Sequence, residues 1–156
     1  ETIGLRYFNV FGRRQDPDGP YAAVIPKFTM AFMKHESPVI NGDGSNSRDF
    51  TYIDNVVLAN NLAATTENPA AMNHVYNVAC GDSVNLNEMT NMLRGYLAAY
   101  DISISKVEPE HGPNRPGDIP HSMASVGKAV RLLGYQPQVL FPEGLKRAVE
   151  WYVDNL

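Results

Sequence analysis

The sequence predicts an α/β fold. Short runs of β-forming residues that close on asparagine or glycine alternate with longer segments whose apolar residues recur at helical spacing. In open sheets of this class ligands lie at the carboxyl ends of strands, so those ends hold the first candidate site residues. At 156 residues the chain has the length of one domain and can bury a core. With 44% hydrophobic and 19% charged residues it reads as globular rather than disordered.

In chain order, Ile3 to Phe8 is the first strand, and Asn9 stands where it ends. A strand at the very start of a chain normally pairs with something before it, and no initiator methionine precedes this one. The chain is therefore expected to be a piece of a longer protein. Asp16 to Pro20 is a surface turn. Val24, Ile25, Phe28 and Phe32 predict an apolar helix from Ala22 to His35, with Pro26 tolerable only near its first turn. Pro38 to Asn41 is a short strand, and a glycine-rich turn, Asn41 to Ser47, joins it to the next in a hairpin-like unit.

That next stretch, Arg48-Asp-Phe-Thr-Tyr-Ile-Asp-Asn55, organises the rest. Arg48 to Ile53 reads as a strand and Asp54 as the N-cap of a helix running to about Thr66. Val75 to Ala79 is another strand. Asn85 with Glu88 three residues on predicts a capping box for a helix to about Tyr100, buried along Leu86, Met89, Leu93 and Leu97. The alternation from Ile102 to Val107 predicts a half-exposed strand, and Glu108 to His121 a long irregular segment of the kind that carries function. Ser125 is the expected cap of a helix ending at Leu133-Gly134. Phe141 to Val153 is an amphipathic last helix with Pro142 at its start.

Charge and composition exclude several functions. A net charge of −4 lacks the clustered Lys and Arg of a nucleic-acid surface. The single cysteine, Cys80, excludes an intrachain disulfide. No apolar run approaches the roughly 18 residues that span a bilayer. No membrane partner is expected, and the expected location is the cytoplasm. His111 and His121 share no metal-ligand spacing with Cys80, so no metal site is expected.

Three positions point to ligand chemistry, each with an ordinary alternative. Arg48 can fork onto a phosphate or carboxylate, or pair with Asp43 or Asp49. Asn9 can offer a donor and an acceptor to a ligand, or cap its own turn. Lys27 can face a pocket, or solvate its helix.

Taken together, Leu5-Arg-Tyr-Phe-Asn-Val-Phe-Gly12, the unit Asn41-Gly-Asp-Gly…Arg48-Asp-Phe-Thr-Tyr-Ile-Asp54, Arg115-Pro-Gly-Asp118, Tyr135-x-Pro137 and the terminal Gly-Leu…Trp-Tyr helix resemble one family. It is the extended short-chain dehydrogenases/reductases acting on nucleotide sugars, in their C-terminal portion. Gly12 to Pro17, Tyr21 to Lys27 and His121-Ser122 resemble in particular the UDP-N-acetylglucosamine 4-epimerases.

The resemblance implies the last strands of a Rossmann-type sheet, with residues 1–20 and 53–80 contributing to it, plus a small mixed α/β substrate-binding domain. It implies NAD as cofactor, a UDP-sugar as substrate and a homodimeric parent protein. Asn9 would hold a sugar-side or phosphate oxygen. Ala23, Val24, Lys27 and Phe28 would line the nucleotide pocket, and Val39, Ile40 and Asn41 would clasp the uracil. Arg48 and Arg115 would neutralise the diphosphate, and Asp118 would bind the ribose hydroxyls. Tyr7 and Phe8 would lie against the nicotinamide. Ser122, small where a tyrosine would crowd a 2-acetamido group, leaves room for an N-acetylated hexose without excluding a smaller sugar.

The glycine-rich dinucleotide fingerprint is missing from these residues, and no tyrosine is followed four residues on by a lysine. No catalytic acid/base is therefore expected in this chain, which should carry the substrate-binding part and be inactive alone. The alternatives are a dehydratase, decarboxylase or reductase of the same family, or a UDP-sugar-binding module without chemistry.

Overall fold

The computed structural model describes residues 1–19 and 23–156. Pro20 of the expected turn, Tyr21 of the epimerase-like motif and Ala22 of the expected helix start lie outside the described residues. The fold is α/β, and the described residues form four small parallel or mixed sheets flanked by helices.

β1 (Ile3–Tyr7) leads to β2 (Val10–Phe11), with Asn9 between them at a φ of 35°. Asparagine tolerates this left-handed conformation better than most side chains, which lets the chain change sheets in one step. α1 (Val24–Met33) carries Pro26 in its first turn and buries Ile25, Phe28 and Phe32. β3 (Val39–Asn41), β4 (Ser47–Arg48) and β5 (Thr51–Tyr52) then lead into α2 (Ile53–Thr65). After a 3₁₀ turn at Pro69–Ala71 come β6 (His74–Val78), β7 (Val84–Asn85) and α3 (Leu86–Ala98). β8 (Glu110–Gly112), β9 (His121–Ser122), α4 (Gly127–Leu133) and α5 (Phe141–Asn155) complete the chain.

Among the described residues two cores hold these elements. β1 lies parallel to β6, in register from Ile3 opposite His74 to Tyr7 opposite Val78. Val56 and Ala59 of α2, Tyr76 and Val78 of β6, and Ala129 and Leu133 of α4 form the core around this pair. The second core joins α1, α3 and α5 through Phe32, Leu93, Leu97, Leu145 and Tyr152. At its centre Phe50 stacks on Phe141 at 5.1 Å, and Phe11 meets both rings.

The capping box of α3 is present in both directions. Glu88 N donates to Asn85 Oδ1 at 2.8 Å, and Asn85 N donates to Glu88 Oε2 at 3.3 Å. Several other expectations are corrected. The expected strand from Arg48 to Ile53 is broken into the end of β4 at Arg48 and β5 at Thr51–Tyr52, with Asp49 and Phe50 buried between them and Ile53 already in α2. β4 runs antiparallel to β7 and parallel to β9, whereas β5 pairs with β2. The unit around the glycine turn is no hairpin: β3 pairs with β8, seventy residues away, and not with β4.

α2 starts at Ile53 with Tyr52 as its N-cap, so Asp54 sits in the first turn. There its charge suits the helix dipole and meets Arg13 at 3.8 Å and Arg147 at 3.5 Å. Ile102–Lys106 is a 3₁₀ helix rather than a strand. Asp101 Oδ1 accepts from Ser103 N at 2.9 Å and Ser103 Oγ at 2.6 Å, a local bond that overrides the alternating pattern. Ile102 is accordingly 77% exposed while Ile104 is buried. The irregular stretch from Glu108 contains β8 and the start of β9. The N-cap of α4 is Val126 and not Ser125, with no side-chain cap, although the helix does end at Gly134 in the left-handed conformation.

Candidate functional site

Segments far apart in sequence meet around a cavity of about 300 Å³. Asn9, Val10 and Phe11 form the wall at the end of β1 and along β2. Ala23, Val24 and Ile25 bring the start of α1, where the helix dipole favours an anion. Asn41 ends β3, Arg48 ends β4, Phe50 and Leu86 add apolar surface, and Arg115 and Asp118 close the rim.

The electrostatics centre on Arg48, whose side chain is 18% exposed. Its guanidinium pairs with the Asp118 carboxylate and donates to the Ser47 carbonyl at 2.8 Å. Asn46 Nδ2 holds the other oxygen of Asp118 at 3.1 Å. Asp118 N donates to the Arg115 carbonyl at 3.2 Å, closing a tight turn that places both side chains at the rim. Among the described residues Arg115 enters no salt bridge. Asn9 Nδ2 donates to the Asp49 carbonyl at 3.1 Å, leaving its oxygen and second N–H.

Neither carboxylate foreseen as a surface partner of Arg48 serves it. Asp43 bonds Ser45, which holds its carboxyl below the usual range. Asp49 is fully buried and accepts from the backbone N–H groups of Cys80 at 2.9 Å, Gly81 at 3.0 Å and Ala124 at 3.2 Å. Burial pushes its carboxyl up from the ordinary value, against the three N–H groups that favour the charge.

The structure brings Asn9, Ala23, Val24, Asn41, Arg48, Arg115 and Asp118 to this one cavity. The remaining candidates lie elsewhere. Lys27 is on the exposed face of α1, while Phe28 is in the core. Val39 is exposed and Ile40 buried, as alternation along β3 requires. Ser122 sits beside Arg48 in the β4–β9 register, with its carbonyl accepting from Asp49 N at 2.9 Å. Tyr7 is 46% exposed and donates to Asn60 Oδ1 at 3.1 Å; Phe8 is half-buried, its N–H on the Val78 carbonyl. Phe11, Phe50 and Leu86 were missed by the sequence reading. Apolar residues that line a cavity carry the same signal as those that fill a core.

A larger cavity of about 480 Å³ shares Phe50 as a wall. Its charged lining is Asp82 and Glu88, with no cation, so it repels the anions that the first attracts. Among the described residues no cluster of His, Cys, Asp and Glu could hold a metal ion, and no helix is long and apolar enough to cross a membrane.

An α/β fold of this topology with a cation-lined cavity at its strand ends is the C-terminal part of a short-chain dehydrogenase/reductase of the epimerase kind. Residues 1–79 match the NAD dependent epimerase/dehydratase family, and the chain belongs to that family. A UDP-N-acetylglucosamine 4-epimerase of Methanobrevibacter ruminantium, solved with UDP-N-acetylmuramic acid, is 40% identical with a TM-score of 0.86, over 99% of this chain and 46% of that one. A UDP-glucose 4-epimerase of Thermotoga maritima, solved with UDP-glucose, is 38% identical with a TM-score of 0.85, over 97% and 46%. The UDP-glucose 4-epimerase of Mycolicibacterium smegmatis is 36% identical over 92% of this chain and 43% of its own length. Relatives also include a decarboxylase and a dehydratase of nucleotide sugars. The chain thus spans a little under half the length of the proteins it matches.

Proposed function

We propose that this chain is the nucleotide-sugar-binding part of an NAD-dependent UDP-hexose 4-epimerase, with UDP-N-acetylglucosamine and its 4-epimer as the substrate pair. The observation that carries the reading is the meeting of Arg48, Arg115, Asp118, Asn9 and Asn41 with the start of α1 around one cavity. Two guanidinium groups and a helix start supply the charge-assisted bonds that a diphosphate needs. Phe11, Ile25 and Phe50 supply apolar surface for a flat base. Asn41 would hold the uracil edge, and Asp118, turning from Arg48 once the diphosphate replaces it, would take the ribose hydroxyls. Ser122 would leave space for the acetamido group.

The residues present fit NAD only in part. Tyr7, exposed at the end of β1, offers a face to the nicotinamide end. Among the described residues α2 follows β5 through Tyr52-Ile53 and α3 follows β7 through Asn85-Leu86, neither junction having the glycine-rich turn that cradles a pyrophosphate. NAD, when bound, takes and returns a hydride at the sugar's C4. The residues of this chain bind and orient the nucleotide, while the acid/base and most of the cofactor site fall to the part of the protein outside this sequence. The chain alone is then inactive, and the β1–β6 pair belongs to the parent's larger sheet. A cytoplasmic homodimer is the parent this reading implies.

Calorimetric titration with UDP-N-acetylglucosamine, UDP-glucose and UDP tests this reading. Arg48→Ala and Arg115→Ala should each weaken UDP by about 1.5–3 kcal/mol, the worth of a hydrogen bond to a charged group. A folded chain that binds none of the three nucleotides overturns the proposal.

A further inference from the structure

We infer that Asp49 is a positioning residue for the anion site: its buried carboxylate fixes the peptide that follows Arg48 and thereby sets where the guanidinium stands in the cavity. The inference rests on the diphosphate reading above. Five bonds meet at this one residue. The carboxylate takes the N–H groups of Cys80 and Gly81 after β6 and of Ala124 after β9. Its own N–H donates to the Ser122 carbonyl, and its carbonyl accepts from Asn9 Nδ2. Asp49 therefore ties the β6 turn, the β9 segment that follows Asp118, and Asn9 to the residue adjoining Arg48.

The chemistry explains why this residue is an acid. Charge buried without a cation survives only where hydrogen bonds replace water, and here three backbone donors converge on two oxygens. One oxygen takes Cys80, and the other takes both Gly81 and Ala124. An asparagine must turn its NH₂ toward at least one of these N–H groups. It keeps the size and loses the grip, so the peptide between Arg48 and Phe50 is no longer held from both sides. A guanidinium set on a displaced backbone meets a phosphate poorly, because fork geometry is demanding.

The test compares a charged ligand with a neutral one that shares its base and ribose. Wild type, Asp49→Asn, Arg48→Ala and the double variant are titrated with UDP and with uridine, folding being checked by near-ultraviolet circular dichroism. Asp49→Asn should weaken UDP by about tenfold, one charge-assisted bond's worth, and leave uridine within about twofold. It should add nothing in the Arg48→Ala background. Unchanged UDP affinity, equal losses for UDP and uridine, or additive losses in the double variant overturn the inference. A folded wild-type chain that fails to bind UDP overturns the diphosphate reading instead. If Asp49→Asn does not fold, amide hydrogen exchange on the wild type replaces it. UDP, but not uridine, should slow exchange at Cys80, Gly81 and Ala124, and equal protection by both overturns the assignment.

Discussion

Asn55 and Val139 bond each other in both directions. Asn55 Nδ2 donates to the Val139 carbonyl at 2.7 Å, and its Oδ1 accepts from Val139 N at 3.1 Å and Gln138 N at 2.8 Å. A side chain at the start of α2 thus does for the 138–139 segment what a neighbouring strand would do. Asn55→Ala should cost about 2–4 kcal/mol, since it orphans buried backbone groups at roughly 1–3 kcal/mol each. Urea unfolding measures it; a loss under about 1 kcal/mol would show that water takes over those bonds.

Two helix glycines should respond in opposite directions to alanine. At Gly144 a Cβ would stand 2.9 Å from Tyr52 Cβ and Cγ and 3.0 Å from Phe11 Cζ. Overpacking of about 1–3 kcal/mol then exceeds the helix-propensity gain of about 1 kcal/mol. At Gly95, exposed in α3, a Cβ meets nothing within 4 Å. Gly95→Ala should stabilise by about 0.5–1 kcal/mol. Thermal unfolding of the two variants side by side decides whether packing or propensity governs each helix.

Burial, with Asp49 and Asp82 nearby, pushes the Cys80 thiol up to about 11. Its folded value lies above its unfolded one, so its contribution to stability is complete below the unfolded value and is lost as pH rises toward 11. The wild type should therefore lose more stability between about pH 8.5 and 11 than Cys80→Ala, as read by denaturation at stepped pH. Iodoacetamide should modify the folded chain slowly at neutral pH, its rate climbing only as pH approaches 11. Rapid labelling at pH 8 would contradict the burial argument.

Asp118 faces two roles that one substitution separates. Bound to Arg48 it is a counter-charge; turned to a ligand it is a ribose acceptor. Asp118→Ala should weaken uridine, measured by calorimetry, by about three- to tenfold if the ribose contact forms. Unchanged uridine together with tighter UDP would assign it to charge balance alone.

Features legible in the sequence are those whose partners lie within a turn of helix. The Asn85–Glu88 box, Pro142 in the first turn of α5 and the left-handed stop at Gly134 all behave as the local pattern requires. Pairing between distant strands carries no such signal, which is why β3 goes to β8 and not to its neighbour. Asp49 shows the limit most clearly. An acid beside an arginine looks like a surface pair, and nothing nearby in the chain announces that its donors wait at positions 80, 81 and 124. At the cavity Arg48 was visible as a guanidinium at the end of a short strand, with a surface pair as its alternative, whereas Arg115 and Asp118 were singled out only by the resemblance of Arg115-Pro-Gly-Asp118 to the family's motif. Phe11, Phe50 and Leu86 did not, being indistinguishable from core.

The walls of the cavity are drawn from Asn9 through Asp118, with the β3–β8 pairing between them. No stretch of a few dozen residues contains enough of them to make a partial version. Folding must close loops of about forty and seventy residues before Arg48 and Arg115 face the same space, and such non-local topologies fold in milliseconds to seconds rather than microseconds. Ligand affinity should accordingly appear in the last kinetic phase of refolding, which makes nucleotide capture a clock for completion of the native state.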